Sequence, residues 1–158
     1  MILPAFHTGN DRSRLAALLT TFFAARCIAF KADCEFDHNK NIVIETFTGD
    51  VDYDKLITIT KALHRHPEYF PDMNAVLDLS DATLLLNFDE MEEFVHWLGA
   101  QENRIRGYCA FITKSALTYG GTRMYLGIGE DLQKNTQYFD SIKEAVAWIE
   151  DMCRKDNA

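Results

Sequence analysis

Clustered basic charge is missing from this sequence. Sixteen Lys and Arg stand against 24 Asp and Glu, giving a formal charge of −8 in 158 residues. The nearest approach to a basic cluster is Arg104 with Arg106. A phosphate-binding face needs gathered Lys and Arg to displace counterions, so the composition weighs against nucleic acid, and the same charge repels an anionic membrane surface. No C-x-x-C pair occurs. Cys27, Cys34, Cys109 and Cys153 are scattered, and Cys34 and Cys109 fall in strand-like apolar patterns where a free thiol acts as a small hydrophobe. That is the usage of a reduced, cytoplasmic chain without a disulfide framework. No apolar run is long enough to span a bilayer. Internal repeats and Pro/Ser-rich linkers are absent, which leaves one main domain with a real core. There is no Walker A sequence and no G-x-S-x-G, and Gly127-Ile128-Gly129 does not follow a strand, so it is no dinucleotide fingerprint.

The N-terminus imitates a signal peptide, with Arg12 and Arg14 ahead of LAALLTTFFAA. Asp11 in the charged region, the late apolar run and a cleavage point directly before a core strand argue for a retained segment. Within it Leu15, Leu18, Leu19, Phe22 and Phe23 recur at helical spacing, predicting a helix over residues 11–25.

Residues 28–36 alternate apolar and polar, as an edge strand should. Turn chemistry at 37–40 leads to a return strand over 42–47, closed by Gly49-Asp50. Asp50 or Asp52 can cap a helix with a stripe of Tyr53, Leu56, Ile57, Thr60 and Leu63. Pro67 and Pro71 lead into a strand over 75–79. Next comes a helix near 88–98 with Phe88, Met91, Phe94, Val95 and Leu98 inward. Residues 108–112 read as a strand buried on both faces. A helix from Ser115 to about Ile128, a strand at 136–139 and a final helix opened by a Ser141/Glu144 capping box complete the chain. Alternating strands and helices imply mostly parallel pairing. Right-handed crossovers then place the crossover helices on one sheet face. Something must cover the other face: the N-terminal helix is one candidate and a second subunit the other.

The order of elements resembles that of SpoIIAA-like (STAS-type) proteins, over about residues 28–153. Phrases that carry the resemblance are Gly49-Asp50, HPEYFPDMNAVLDLS at 66–80, TYGGTRMY at 118–125 and FDSIKEAVAWI at 139–149. It implies an α/β fold with a mixed sheet of about five strands, crossover helices on one face and, here, an extra N-terminal helix. Residues 1–26 then form a helical extension and 27–158 the STAS-type domain. The resemblance further implies a regulatory or binding module rather than an enzyme. In the phospho-regulated bacterial anti-sigma-factor antagonists, a strand ending Asp-Leu-Ser is followed by a loop with Asp-Ser at the next helix. Those two positions fall at Leu86 and Asn87, and Asp89 replaces the Gly that usually follows. Asn87 cannot be phosphorylated, so that switch is not expected.

Asp78 interrupts an apolar strand near its expected carboxyl end, the edge at which parallel α/β sheets meet ligands. Asp78, Ser80 and Asn87, with Lys114, Ser115, Tyr119 and Arg123, make up the candidate ligand- or partner-binding set. Lys114, Ser115, Tyr119 and Arg123 could receive an anionic group at a helix N-terminus. The competing reading is a structural Asp78–Lys114 pair with ordinary capping by Ser115. Asp89, Glu90, Glu92 and Glu93 offer an acidic docking face, or simply complement the helix dipole. His64-x-His66, with Glu68 as the sole further candidate, lacks the ligands of a zinc site. No catalytic residue, metal or cofactor is assigned. The leading function is a non-catalytic protein-interaction or regulatory module. The alternative is a carrier of a small anionic or lipid-like ligand. The N-terminal helix, apolar on one side and nearly free of charge on the other, favours a homodimer.

Overall fold

A computed structural model describes residues 29–129 and 135–158. The expected N-terminal helix and Cys27 lie outside the described residues. Strands β1 (Lys31–Asp37) and β2 (Ile42–Val51) form an antiparallel hairpin. Helix α1 (Tyr53–His64), strand β3 (Asn74–Leu84), helix α2 (Phe88–Gly99), strand β4 (Cys109–Ile112), helix α3 (Ala116–Ile128), strand β5 (Thr136–Phe139) and helix α4 (Ile142–Asp156) follow. The sheet order is β1-β2-β3-β4-β5, parallel everywhere except β1–β2. This is the mixed five-strand α/β sheet expected from the sequence.

Both central strands run further than their apolar patterns suggested. Gly49 does not close β2: it adopts φ 78 inside the strand, a left-handed conformation that glycine enters without steric cost. Pairing continues to Val51↔Leu84 after a register shift between Thr46 and Thr48. Likewise β3 does not end at Asp78-Leu79-Ser80. It continues to Leu84, because Ala82 and Leu84 bury against α3 and the inner layer.

Two layers enclose the sheet. On one face, rows beginning at Val43, Glu45 and Phe47 meet α1, α2 and α3. On the other, Ile42, Val76, Ala110 and Ile112 are covered by Ala145 and Ile149 of α4. The expectation that the N-terminal helix or a partner must cover this face is therefore corrected: the final helix does so. Its stripe of Ile142, Ala145, Val146 and Ile149 recurs every three to four residues, which brings all four side chains to one side.

Each helix start is fixed by a capping side chain. Asp52 Oδ1 accepts from the Lys55 N–H at 3.0 Å. Asn87 and Glu90 form a reciprocal capping box at 3.0 and 2.9 Å. Ser141 Oγ accepts from the Glu144 N–H at 3.3 Å, one half of the expected box. Two side-chain expectations change. Phe88 is 55% exposed, since as the first helical residue it precedes the inward face set by Met91, Phe94 and Val95. Cys34 is exposed on the edge strand.

Candidate functional site

Ser115, expected as a ligand hydroxyl, is committed to structure. Its Oγ accepts from the Thr118 N–H at 3.0 Å and lies 2.8 Å from Thr118 Oγ1. Thr118 Oγ1, itself buried, donates to the Ala82 carbonyl at 2.8 Å. That bond ties α3 to the stretch of β3 beyond the end of β4. Gly121 fits the same contact, because a Cβ there would stand 3.2 Å from Leu84 Cδ1.

The other predicted residues separate into groups. Asp78 stands in register with Thr46 and Ile112, in mid-strand on the face that α4 covers. Its carboxylate accepts from the Ser80 N–H at 3.0 Å and makes no ion pair with Lys114 among the described residues. Tyr119 and Arg123 do meet, with the guanidinium 5.9 Å from the ring centroid. Tyr119 also stacks edge-on against Tyr138 of β5, at 5.0 Å between centroids. Tyr119–Arg123 thus belongs to α3 and β5, on the sheet face opposite Asp78. Asn87 is held in its capping box, and Lys114 is exposed after β4.

The carboxyl ends of β3 and β4 carry exposed apolar side chains, of which Tyr119 alone belongs to the candidate set. Leu85 and Phe88 follow β3, and Leu117 and Tyr119 follow β4; all four are exposed, Leu117 by 62%. Beside them α2 presents Asp89, Glu92 and Glu93 to solvent.

A second feature is interior. A cavity of about 240 Å³ lies between the sheet and α1–α3. Its floor includes the register row Glu45–Leu77–Phe111, and its walls include Leu56 and Leu63 of α1, Met91 and Phe94 of α2, and Tyr125 of α3. Arg104, Arg106 and Asn135 stand at one end, where Arg106 and Asn135 are exposed. Both arginines have partners: Arg104 Nη1 donates to the Gly99 carbonyl at 2.9 Å, and Arg106 Nε lies 3.2 Å from Asp72 Oδ1. Gly107 beside them has no room for a side chain, since a Cβ would fall 2.5 Å from the Met73 carbonyl oxygen.

Glu45 is the one acid in the cavity lining, 7% exposed, and it makes no hydrogen bond or ion pair among the described residues. Burial raises its pKa from 4.5 to about 7. Around it, burial and then the Glu45 charge push the Cys109 thiol up to about 12. Burial also raises Tyr69 and Tyr125 and lowers His64, so the neighbouring groups are held neutral. The signal was legible in one respect: in IVIETF the acid occupies the alternate position between Val43 and Phe47, which point inward. His64 and His66 do not converge on a metal site. His64 stacks on Tyr69 and His66 on Phe36, and no cluster of three metal-binding side chains forms among the described residues. No described helix is long and apolar enough to cross a membrane.

Neither a protein-family model nor a curated protein matches the sequence. Among solved structures, the chain is similar to an uncharacterized protein of the DUF3478 family with a SpoIIAA-like fold from Shewanella loihica PV-4. The two share 12% identity over 76% of this chain and 93% of the other, with a TM-score of 0.50. It is also similar to an anti-sigma factor antagonist from Mycobacterium paratuberculosis, at 11% identity over 78% and 97% of the two chains and a TM-score of 0.52. Strand order, crossover side and these likenesses agree: the chain has the SpoIIAA-like (STAS-type) fold.

Proposed function

We propose that this chain is a non-catalytic interaction or regulatory module of STAS type, acting in the cytoplasm without the phosphorylatable serine of the antagonists, whose position Asn87 takes. The observation that carries the reading is the exposure of four large apolar side chains, Leu85 and Phe88 after β3 and Leu117 and Tyr119 after β4, beyond the carboxyl ends of two neighbouring strands. Exposed large apolar side chains grouped with charged neighbours are what a docking surface offers a protein partner. Asp89, Glu92 and Glu93 add a preference for basic groups on that partner. Asn87 lies within this edge, and its side chain serves the helix cap. A homodimer, through the apolar N-terminal segment, belongs to the same reading.

The double substitution F88S/L117S tests it. Both side chains are largely solvated, so the melting temperature should hardly move. A partner crosslinked by the wild-type chain in its own cells should be lost. Retention of that partner would remove the edge from the reading.

A second reading, a small-ligand carrier, is favoured by the cavity beneath α1–α3 and its unpartnered Glu45. The apolar lining supports a largely apolar ligand over a purely anionic one. Native mass spectrometry of the purified chain checks it: a retained small molecule supports the carrier, and a bare mass leaves the interaction module.

A further inference from the structure

We propose that the cavity binds a small, mainly apolar amine, with its ammonium group held by the Glu45 carboxylate. The inference rests on the cavity reading above and names the ligand chemistry. A buried carboxylate without a partner is costly, and the cost is relieved by a cation that brings N–H donors to it. No ion pair joins Glu45 to a cation among the described residues: Lys31 and His66, which line a second cavity with it, are engaged by Asp33 and by the Phe36 ring. Cys109, Tyr125 and His64 are neutral neighbours, and the Tyr69 hydroxyl is spent on the Asn103 carbonyl. Arg104 and Arg106 stand at the rim with partners of their own. One negative charge therefore lies among neutral and apolar side chains, with both arginines partnered at one end of the cavity, a setting that favours an ammonium group beside Glu45 over a carboxylate.

Size narrows the class. An apolar cavity of about 150 Å³ accepts benzene, so the roughly 240 Å³ here suits a ligand of roughly ten non-hydrogen atoms. Phe94, Phe111 and Tyr125 offer ring faces and edges to its apolar body.

Calorimetric titration of the full chain with 2-phenylethylamine, 2-phenylethanol and phenylacetate tests the inference, because the three share a body and differ in the head group. At about pH 8, where Glu45 is ionised, the amine should bind at least about tenfold tighter than the alcohol, with phenylacetate weakest. Glu45→Gln should erase that preference while leaving the alcohol within about threefold. A second measurement needs no variant. Between about pH 8 and 5.5 Glu45 takes up a proton, so the amine should weaken about tenfold and the alcohol should not. Of the groups facing Glu45, Cys34, Cys109, Tyr69 and Tyr125 have raised pKa values and His64 a lowered one. Lys31, Asp33, His66, Arg104 and Arg106 also line a cavity with it, and the uncharged alcohol reports any change in the site that does not act through Glu45. Equal binding of amine and alcohol overturns the role of Glu45 and leaves the cavity reading standing. Tightest binding of phenylacetate overturns it in favour of the rim arginines. If none of the three binds, the cavity reading fails and the inference with it.

Discussion

Glu45 lies between Cys34 and Leu77 in the sheet register, under three helices, and its proton links stability to pH. Below about pH 4.5 it is protonated in folded and unfolded chains alike, so it costs nothing. As pH rises, the unfolded chain ionises first while the folded chain holds its proton until about pH 7. Stability therefore falls across that window and levels off above it. A rise from 4.5 to about 7, at about 1.4 kcal/mol per pH unit, corresponds to about 3 kcal/mol. Glu45→Gln should be more stable than the wild type at pH 8, and the gap should close towards pH 4.5; urea midpoints of both chains at the two pH values measure it. An unchanged gap would mean that Glu45 holds its proton no more tightly in the folded chain than in the unfolded one. Gly107 makes a steric prediction. Gly107→Ala forces a Cβ to within 2.6 Å of Asn74 Oδ1 as well as into the Met73 carbonyl, and should cost roughly 1–3 kcal/mol by denaturant unfolding. The Asn74 contact matters because that oxygen accepts the Tyr108 N–H at 2.8 Å, where the chain enters β4.

At the scale of elements, the helix starts behave as local sequence chemistry dictates. Asn87→Asp exchanges one good cap for another and should leave stability within about 0.5 kcal/mol, whereas Asn87→Ala should cost about 1 kcal/mol. Thermal melts of the two variants separate capping from any special role of the amide. The α3–β3 tie is a tertiary device. Thr118→Val keeps the side-chain shape but deprives the Ala82 carbonyl of its donor, which should cost roughly 1–3 kcal/mol. A loss no larger than that of an exposed Thr→Val change would show the bond to be dispensable. The ends of β2 and β3 belong here too. Their extensions, 48–51 and 80–84, hold Gly49, Asp50, Ser80, Asp81 and Thr83, residues that read as turn or cap chemistry, and yet pair because each strand offers the other a ladder.

For the molecule as a whole, α4 closes the second face of the sheet. Ile149 is fully buried there against the central strands, and Ile149→Ala should cost about 2–5 kcal/mol in chemical unfolding. A cost below 1 kcal/mol would mean that the helix contributes little to the core. Removal of residues 1–26 addresses the other end. Five large apolar side chains in that segment, each worth roughly 1.5–3 kcal/mol when buried, should make the shortened chain less stable or prone to association. Sedimentation and melting of the two chains decide it: a shortened chain that stays monomeric and equally heat-stable would make the segment an appendage.

The sequence by itself determined the order of the described elements, the mostly parallel pairing, the caps at Asn87, Ser115 and Ser141, and the inward faces of α2 and α4 apart from Phe88, while the choice of Asp52 over Asp50 as the first cap fell to the fold. Those features follow from periodicity and hydrogen bonding within a few residues, which the chain carries locally. Tertiary structure decided the rest. It put Asp78 in mid-strand on the α4 face and Tyr119–Arg123 on the opposite one, a separation that sequence spacing does not encode. It brought Glu45 beneath three helices, where distant elements remove its water and leave the acid without a partner among the described residues. Desolvation is a property of everything packed around a group, and so a glutamate that reads as one more strand residue becomes the most unusual side chain of the interior.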